Sequence, residues 1–259
     1  MKLTVVIPAF NEIATLQDVV ARVRHHAGPD VEIIIVDDGS TDGTIEAIEA
    51  LATRGEVRAF YNTQNRGKGA AVRRGLAAAT GDIVLVQDAD LEYDPADYPA
   101  LLEPIVAGRA DVVYGSRFRG DSEGWWWRQW VANRTLTWLS NRFTGWRLTD
   151  METCYKVFRR EVVQSIHLES DRFGFEPEVT AKLAGIPGIV MEEVPIRYRG
   201  RSYHEGKKVT WRDGLKAIGT IVKYNLVQDR AHWYVGGAQA AEELIPTRTA
   251  AAGKKDQSP

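Results

Sequence analysis

Two carboxylates separated by one residue, Asp88 and Asp90, follow an apolar run at residues 83–86 and a single glutamine. The run is rich in β-branched residues and lacks polar alternation, which is typical of a parallel strand buried on both faces. Ligands of open parallel sheets bind beyond the carboxyl ends of the strands, so this pair lies where a site is expected. Carboxylate oxygens are hard ligands that suit Mg²⁺ or Mn²⁺. The spacing therefore predicts a divalent-metal site that could bridge to a diphosphate.

Polar residues also follow two earlier strand-like runs. Residues 8–12 are Pro-Ala-Phe-Asn-Glu, and residues 37–44 are Asp-Asp-Gly-Ser-Thr-Asp-Gly-Thr. If these strands are neighbours in a parallel sheet, their ends meet at one edge. Asp38 could there accept hydrogen bonds from N–H groups of a nucleobase, and the ring of Phe10 could line the base or ribose pocket. Asp42 and Thr44 are interpreted more simply as turn and helix-start residues.

The composition is that of a globular protein. The 259 residues are 44% hydrophobic and 26% charged with a formal net charge of −2, which argues against a nucleic-acid binder with a strongly basic surface. The single cysteine, Cys154, excludes an intrachain disulfide and fits a reducing cytosol. The first apolar run is too short for a signal peptide, and no stretch approaches the ~18 apolar residues of a membrane span. We therefore expect a cytoplasmic protein whose contact with membrane is peripheral.

The first 120 residues alternate strand-like and helix-like patterns. The predicted strands are 3–7, 32–36, 57–61, 83–87 and 111–115. The predicted helices are 13–26, 44–54, 69–80 and 95–107. This alternation with short connections predicts an α/β fold with a mostly parallel central sheet and helices on both faces.

The pattern changes after residue 124. Residues 125–147 contain six of the eight tryptophans and four arginines, with no acidic residue. Helices are predicted at about 149–163, 176–184 and 211–227, and an edge strand interrupted by Pro195 is predicted at 189–198. Residues 229–259 lack periodicity and are predicted to form a largely disordered tail.

Several motifs occur together in the order found in one enzyme family. They are residues 5–12, 36–44, 65–69 (Asn-Arg-Gly-Lys-Gly), 87–90, 115–118 (Gly-Ser-Arg-Phe) and 149–156 (Thr-Asp-Met-Glu-Thr-Cys-Tyr-Lys). On these motifs, residues 3–225 resemble the family 2 glycosyltransferases of the GT-A fold. Within that family, the chain is most similar to the dolichol- or polyprenyl-phosphate hexosyltransferases, the subgroup of dolichol-phosphate mannose synthase.

The resemblance implies how a donor is bound. The nucleoside of a sugar nucleotide would be contacted by Pro8, Phe10, Glu12, Val36 and Asp38. Its diphosphate would be held through a divalent cation, Mg²⁺ or Mn²⁺, by Asp88 and Asp90, with Ala89 between them. Lys68, in the loop before a predicted helix, either faces the nucleotide or simply begins that helix.

The resemblance also implies an acceptor site. Arg117, Arg134 and Thr153 correspond to positions that contact a lipid phosphate, and forked guanidinium donors match phosphate oxygens. A phosphate acceptor is already anionic at neutral pH, so its attack on the anomeric carbon requires no strong general base. Asp150 either orients the acceptor or metal, or caps a helix that follows it. Asp90, Arg117 and Asp150 are the candidate catalytic residues.

Two further segments resemble parts of the family. The basic segment at residues 197–208 resembles its mobile loop, which closes over the donor, with Arg201 and Lys207 as candidate diphosphate contacts. Simple solvation of a charged loop is the alternative.

The segment 125–147 fits an interfacial helix with aromatic rings at headgroup depth, and a core helix is the alternative. Because some relatives continue into transmembrane helices, we expect this chain to depend on its interfacial helix or on a membrane-protein partner.

These observations lead to one hypothesis and two alternatives. We expect a single domain over residues 1–228, with a nucleotide-binding half at 1–120 and an acceptor- and membrane-facing half at 121–228. It is expected to be an inverting, metal-dependent transferase of a hexose from GDP-mannose or UDP-glucose to polyprenyl or dolichyl phosphate at the cytosolic membrane face. The alternatives are a family 2 enzyme with a saccharide or small hydroxyl acceptor, and a non-catalytic sugar-nucleotide-binding protein associated with membrane. The sequence leaves the sugar, the polyprenol and the oligomeric state open.

Overall fold

A computed structural model describes residues 1–123, 127–200 and 211–245. Within these residues the strands form a seven-stranded sheet and a separate short pair of β6 with β9. In chain order the strands are β1 (Leu3–Ala9), β2 (Glu32–Asp37), β3 (Arg58–Tyr61), β4 (Ile83–Val86), β5 (Val112–Ser116), β6 (Ser122–Glu123), β7 (Lys156–Arg159), β8 (Met191–Pro195) and β9 (Tyr198–Arg199).

The large sheet has the strand order β3-β2-β1-β4-β7-β5-β8. Its neighbouring strands are parallel except at β7, which is antiparallel to both β4 and β5. The prediction of a mostly parallel sheet is confirmed. β2 and β4 are buried along their whole length, as expected for apolar strands covered by helices. β8 lies at an edge, consistent with Pro195, which has no N–H to donate to a further strand.

The helices pack on the sheet through apolar residues at helical spacing. In α1 these residues are Leu16, Val19, Val20 and Val23, all buried. No helix in the described part of the chain is long and apolar enough to cross a membrane. In chain order the helices are α1 (Leu16–Ala27), α2 (Thr44–Thr53), α3 (Lys68–Ala78), α4 (Tyr98–Val106), α5 (Trp127–Thr144), α6 (Arg160–Gln164), α7 (Phe175–Ala184), α8 (Trp211–Val222) and α9 (Ala238–Glu243).

Residues 149–163 differ from the helix predicted there. They contain a turn, then β7, then the beginning of α6. The run Lys-Val-Phe-Arg of β7 is so short that its periodicity does not distinguish a strand from a segment of buried helix. Tertiary pairing decides the matter, because Val157 is in register with Leu85 of β4 on one side and Val113 of β5 on the other. The predicted helix over 149–163 is therefore wrong.

Residues 229–245 are ordered, although the sequence predicts a disordered tail from residue 229. They contain a 3₁₀ turn (Arg230–His232) and α9. Trp233 is fully buried, and its carbonyl accepts a hydrogen bond from His167 N at 2.7 Å. The tail prediction was wrong here because burial of one large aromatic side chain outweighs a composition that is otherwise small and polar. Residues 246–259 lie outside the described part of the chain.

Glu32 at the start of β2 is buried among hydrogen-bond donors. Its carboxylate accepts hydrogen bonds from the hydroxyl groups of Thr4 (2.5 Å) and Thr80 (2.9 Å) and pairs with Arg58. Burial by itself raises the pKa of Glu32, but these donors outweigh it and lower the pKa to about 2, from an ordinary value of 4.5. Because the pKa is lower in the folded protein, its stabilisation is complete above pH 4.5 and is lost as the pH falls towards 2.

We expect Glu32→Gln to lower the free energy of unfolding at pH 7 by about 2–3 kcal/mol. The difference from the wild type should shrink between pH 4.5 and 2, because the wild-type carboxylate is protonated in that range. Urea denaturation of both proteins from pH 7 to pH 2.5 measures it, with Asp18→Asn, an exposed carboxylate on α1, as the control. A difference that does not change with pH would contradict the assignment.

Candidate active site

The sheet order places β2, β1 and β4 side by side, with parallel neighbours. Their carboxyl ends therefore lie at one edge of the sheet. This edge brings together residues 8–12, 37–44 and 87–90, as the sequence predicts. The first two are tied directly, because Asn11 N donates to Ser40 Oγ at 2.9 Å and Thr41 N donates to Asn11 Oδ1 at 2.8 Å.

The predicted nucleoside contacts surround this edge. Pro8, Phe10 and Glu12 are half-buried, whereas Val36 is fully buried in β2. Glu12 N donates to Thr44 Oγ1 at 2.9 Å, which joins the end of β1 to the first residue of α2. The end of β1 is thus held by hydrogen bonds to the loop after β2 and to the start of α2.

Asp38 holds the loop that leads into α3 in place by hydrogen bonds. Its Oδ1 accepts hydrogen bonds from Asn62 Nδ2 (2.8 Å) and Arg66 N (3.1 Å), and its Oδ2 accepts one from Gly67 N (2.6 Å). Gly67 has φ +108°, and a Cβ there would lie 2.6 Å from the carbonyl oxygen of Asp171, so glycine fits where other residues would be strained. Contact of Asp38 with a nucleobase stays a prediction, and the structure adds this role in shaping the loop.

Asp88 and Asp90 lie just beyond β4, with buried Ala89 between them. Lys68 Nζ, at the first residue of α3, is 2.8 Å from Asp88 Oδ1 and 3.3 Å from Glu176 Oε1. Burial by itself lowers the pKa of Lys68, but the neighbouring Asp88 carboxylate outweighs it and raises the pKa well above its ordinary value. Lys68 therefore both begins a helix and places a fixed positive charge beside the acidic pair.

The donor set of the acidic pair fits a Mg²⁺ or Mn²⁺ ion shared with a ligand. Among the described residues, no group of three or more histidine, cysteine or acidic side chains could hold a metal alone. Mg²⁺ is characteristically bound by one or two carboxylates together with substrate phosphates, rather than by a cage of protein ligands. Asp88 and Asp90 supply two carboxylates, and the ammonium of Lys68 offsets part of their charge.

Arg117 and Asp150 form a buried bidentate ion pair. Arg117 Nε lies 2.6 Å from Asp150 Oδ2, and Arg117 Nη2 donates to Asp150 Oδ1 at 2.7 Å. Burial by itself lowers the pKa of Arg117, but Asp150 outweighs it and raises the pKa well above the ordinary value. Asp150 does not cap a helix, because a turn follows it. That part of the alternative was wrong, and the carboxylate orients Arg117 instead.

Arg134 and Thr153, the other predicted phosphate contacts, differ in their surroundings. Arg134 lies on α5, with its guanidinium over the rings of Phe118 (5.6 Å) and Trp130 (5.9 Å). Phe118 follows Arg117 in the chain, so Arg134 contacts the residue next to Arg117. Thr153 is fully buried. The predicted contact of these residues with a phosphate stays a prediction.

α5 presents an exposed aromatic face. Trp127, Trp130 and Trp138 are 69%, 47% and 66% exposed, and Trp130 and Trp138 line a groove with Val131, Arg134 and Thr135. α8 packs against α5 and exposes Leu215, Ile218 and Val222. Trp146 is instead half-buried and edge-on to Tyr114, at 6.3 Å between ring centroids. The tryptophan-rich part of the chain therefore combines an exposed face on α5 with a core contact at Trp146.

The predicted mobile loop begins at the site. Tyr198 of β9 donates from its hydroxyl to Glu92 Oε2 at 3.0 Å, and the guanidinium of Arg117 lies 5.2 Å from the centre of the Tyr198 ring. Arg199 N donates to the carbonyl of Glu92 at 2.9 Å. Arg201 and Lys207 lie outside the described residues. Their contact with a diphosphate stays a prediction.

Three acidic residues of this region, Glu152, Glu176 and Glu193, were not among the predicted site residues. Glu193 on β8 accepts hydrogen bonds from Thr149 N (2.9 Å) and Asp150 N (3.0 Å), which fixes the turn that carries Asp150. Glu176 contacts Lys68, and Glu152 follows Asp150 by two residues. An acidic residue at a helix start or in an edge strand is too common to indicate a site. Glu193 and Glu176 are identified only by their tertiary partners, and Glu152 only by its burial beside Asp150.

The mostly parallel sheet flanked by helices, with a pair of aspartates just beyond a central strand, defines a GT-A glycosyltransferase. The glycosyl transferase family 2 model matches residues 4–166. The chain belongs to this family and is a glycosyltransferase.

Relatives of known name agree with this assignment. The polyprenol monophosphomannose synthase of Mycolicibacterium smegmatis is 36% identical over 207 residues, which cover 76% of this chain and 77% of that protein. The dolichol-phosphate mannosyltransferase of Pyrococcus furiosus is 33% identical over 241 residues, covering 89% of this chain and 66% of that protein. Glucosyl-3-phosphoglycerate synthase from Mycobacterium tuberculosis, in complex with Mn²⁺, UDP-glucose and phosphoglyceric acid, has a similar structure. Its TM-score is 0.67 at 26% identity, over 89% of this chain and 81% of that one.

Proposed function

We propose that this protein transfers a hexose, with inversion, from GDP-mannose or UDP-glucose to a polyprenyl or dolichyl phosphate. The similarity to the two mannosyltransferases supports the acceptor class. The observation that carries the proposal is the buried Arg117–Asp150 pair, in which both carboxylate oxygens accept hydrogen bonds from one guanidinium. A fixed guanidinium suits a phosphate, whereas an aspartate engaged in this way is poorly suited to remove a proton from a hydroxyl acceptor.

The donor is proposed to bind across the carboxyl ends of β1, β2 and β4. Its nucleoside would contact Pro8, Phe10, Glu12, Val36 and Asp38. Asp88 and Asp90 would hold Mg²⁺ or Mn²⁺, and this cation would offset charge on the departing diphosphate. Lys68 already supplies a positive charge beside Asp88, and Arg201 with Lys207 would add two more from the closing loop.

The acceptor phosphate is proposed to bind on the side of Arg117 and Arg134, with Thr153 nearby. The phosphate is its own nucleophile, because it carries negative charge at neutral pH. Asp150 keeps the Arg117 guanidinium in one orientation, and Glu193 keeps the turn of Asp150 in place. The protein's contribution to this half of the reaction is therefore orientation and charge, not proton removal.

We propose that the protein binds peripherally to the cytosolic face of a membrane. Trp127, Trp130 and Trp138 are exposed on α5, the helix that carries Arg134, and α8, which packs against α5, exposes apolar residues as well. Aromatic rings favour headgroup depth, and a cation among them favours anionic lipid. The same surface could contact a membrane-protein partner.

A direct assay tests the proposed reaction. Purified protein with Mg²⁺ or Mn²⁺ is incubated with labelled GDP-mannose or UDP-glucose and with either undecaprenyl phosphate or 3-phosphoglycerate. The second acceptor represents a soluble phosphate compound, as in the structurally similar synthase. We expect labelled lipid product from undecaprenyl phosphate. Product from 3-phosphoglycerate alone, or transfer that needs no phosphate acceptor, would contradict the proposal.

We expect the Trp127→Ala/Trp138→Ala double variant to bind anionic vesicles at least about tenfold more weakly than the wild type, since burying one such ring contributes roughly 1.5–3 kcal/mol. Sedimentation with phosphatidylglycerol vesicles measures the binding. Val106→Ala removes an exposed apolar side chain from α4 and should leave it unchanged. Equal binding by the wild type and the double variant would show that α5 is not the membrane contact.

A further inference from the structure

Three buried side-chain oxygens near the site have no hydrogen-bond partner among the described residues: Glu152 Oε1, Thr153 Oγ1 and Glu176 Oε2. Thr153 is fully buried and Glu176 is only 4% exposed. Leaving a buried polar atom unpaired costs roughly 1–3 kcal/mol, so native proteins satisfy nearly all of them. Three such atoms from two segments of the chain indicate a place that a ligand completes.

These oxygens lie between the two halves of the proposed reaction. On the donor side, Glu176 contacts Lys68, which contacts Asp88. On the acceptor side, Glu152 and Thr153 follow Asp150 in the same turn, and Asp150 holds Arg117. A group that moves from a diphosphate at Asp88 to a phosphate at Arg117 must pass between these two ends.

The charges of this region favour a neutral ligand rich in hydroxyl groups. Burial first, and then the charge of Glu176, raise the pKa of Glu152, so Glu152 can donate a hydrogen bond as well as accept one. Lys156 Nζ donates to the main-chain carbonyls of Met151 (2.8 Å) and Thr153. These two segments therefore offer a carboxylate acceptor, a carboxylic acid and a hydroxyl, and the charge of Glu176 acts on Glu152.

We propose that Glu152 and Glu176, with the hydroxyl of Thr153 at the acceptor end, form the subsite that binds the hydroxyl groups of the transferred sugar and selects the donor by them. The Thr153 hydroxyl can accept a hydrogen bond from the sugar while it donates its own proton to the acceptor phosphate. This inference rests on the proposed function, since it assumes a sugar nucleotide bound at Asp88. Sugar hydroxyls donate to Glu176 Oε2 and exchange hydrogen bonds with Glu152 and Thr153. A site built to bind a hydroxyl rejects the analogue that lacks it, because the buried partner is left unpaired.

A cycle of ligand and protein changes tests the subsite. Calorimetry in the presence of Mg²⁺ first shows which of GDP-mannose and UDP-glucose binds more tightly. The binding of that sugar nucleotide is then compared with the binding of its monodeoxy-sugar analogues, which carry the same charge. Removal of at least one sugar hydroxyl should weaken binding to the wild type about tenfold or more. This deoxygenation penalty, the ratio of the Kd values of analogue and parent, should fall below about threefold in Glu176→Gln or Glu152→Ala. Glu152→Gln keeps a neutral donor and should retain more of the penalty than Glu152→Ala.

Glu103→Gln, a surface carboxylate on α4, is the matched control and should keep the full penalty. If no deoxygenation weakens binding to the wild-type protein, the inference is overturned without any variant. If Glu176→Gln weakens binding of the parent sugar nucleotide and of every analogue equally, the deoxygenation penalty is intact. Glu176 then only holds Lys68, and the inference is also overturned. Thermal unfolding identifies a variant that does not fold, in which case Glu152→Ala carries the test.

These binding measurements use no acceptor, so they separate the two proposals. A protein that shows the expected coupling but makes no product with undecaprenyl phosphate refutes the proposed acceptor and supports the subsite. A protein that makes this product without any coupling refutes the subsite and supports the acceptor.

Discussion

Asp90→Ala is expected to lower kcat/KM for sugar transfer at least about a thousandfold, which corresponds to roughly 4 kcal/mol of lost transition-state stabilisation. Asp90 is buried beyond the end of β4, and its Oδ1 accepts a hydrogen bond from Glu92 N at 3.1 Å. In the proposed function Asp90 and Asp88 are the protein's two carboxylates for the metal ion. Loss of one leaves the diphosphate charge poorly offset when the sugar departs.

The assay measures initial rates at saturating Mg²⁺, with titration of the sugar nucleotide in the presence and absence of the metal. Asp30→Ala, an exposed carboxylate before β2, is the matched control and should behave like the wild type. Asp90→Asn keeps the shape of the side chain and should be nearly as inactive as Asp90→Ala, because the charge is what binds the metal. If Asp90→Ala folds normally and keeps transfer within about tenfold of the wild type, the metal-binding role of Asp90 is wrong.

Asp150→Ala is expected to lower the free energy of unfolding by about 3–5 kcal/mol, since it leaves the buried guanidinium of Arg117 without its partner. The pair is bidentate, and Asp150 is fully buried. Guanidinium chloride denaturation measures this change. Arg109→Ala, which breaks an ion pair with Glu103 at the surface, should have little effect because water screens that pair.

The double variant Arg117→Met/Asp150→Leu separates stability from function. Replacing a buried ion pair with apolar side chains of similar volume is often neutral, so we expect it to be more stable than Asp150→Ala. Transfer should nevertheless stay lost, because the acceptor phosphate would have no guanidinium to bind. A double variant as unstable as Asp150→Ala would show that the loss does not come from the unpaired charge of Arg117.

Asp150→Asn distinguishes an orienting role from that of a general base. We expect a higher KM for undecaprenyl phosphate and a rate that keeps the pH dependence of the wild type, because the phosphate needs no base. A variant with an unchanged KM, no activity, and a wild-type rate that rises with deprotonation of an acidic group would identify Asp150 as a base. That outcome would favour the alternative of a hydroxyl acceptor.

Much of the first half of the molecule could be predicted from the chain alone. The apolar runs of β1, β2 and β4 are buried on both faces, so their sequences carry a strong strand signal. The alternation of strands and helices then requires parallel pairing, which brings residues 8–12, 37–44 and 87–90 to one edge. The proposed donor side of the site follows from local pattern and this single topological rule.

The contacts of the proposed acceptor side could not be predicted in the same way. β7 is a strand only because β4 and β5 pair with it, and Asp150 orients Arg117 across 33 residues of sequence. Glu176 contacts Lys68, although it lies on a helix more than a hundred residues further along the chain. Such contacts leave no periodic pattern in the local sequence, since they depend on which elements pack together.

The fold class, the family and the acidic pair at the end of β4 could be inferred from the amino-acid sequence, because burial and the alternation of strands and helices produce patterns in neighbouring residues. Three contacts follow only from the tertiary structure: the ion pair of Asp150 with Arg117, the hydrogen bonds of Asp38 to the loop before α3, and the contact of Glu176 with Lys68. These depend on hydrogen bonds and ion pairs between distant segments, whose energies arise only once the packed sheet has brought the segments together and excluded water.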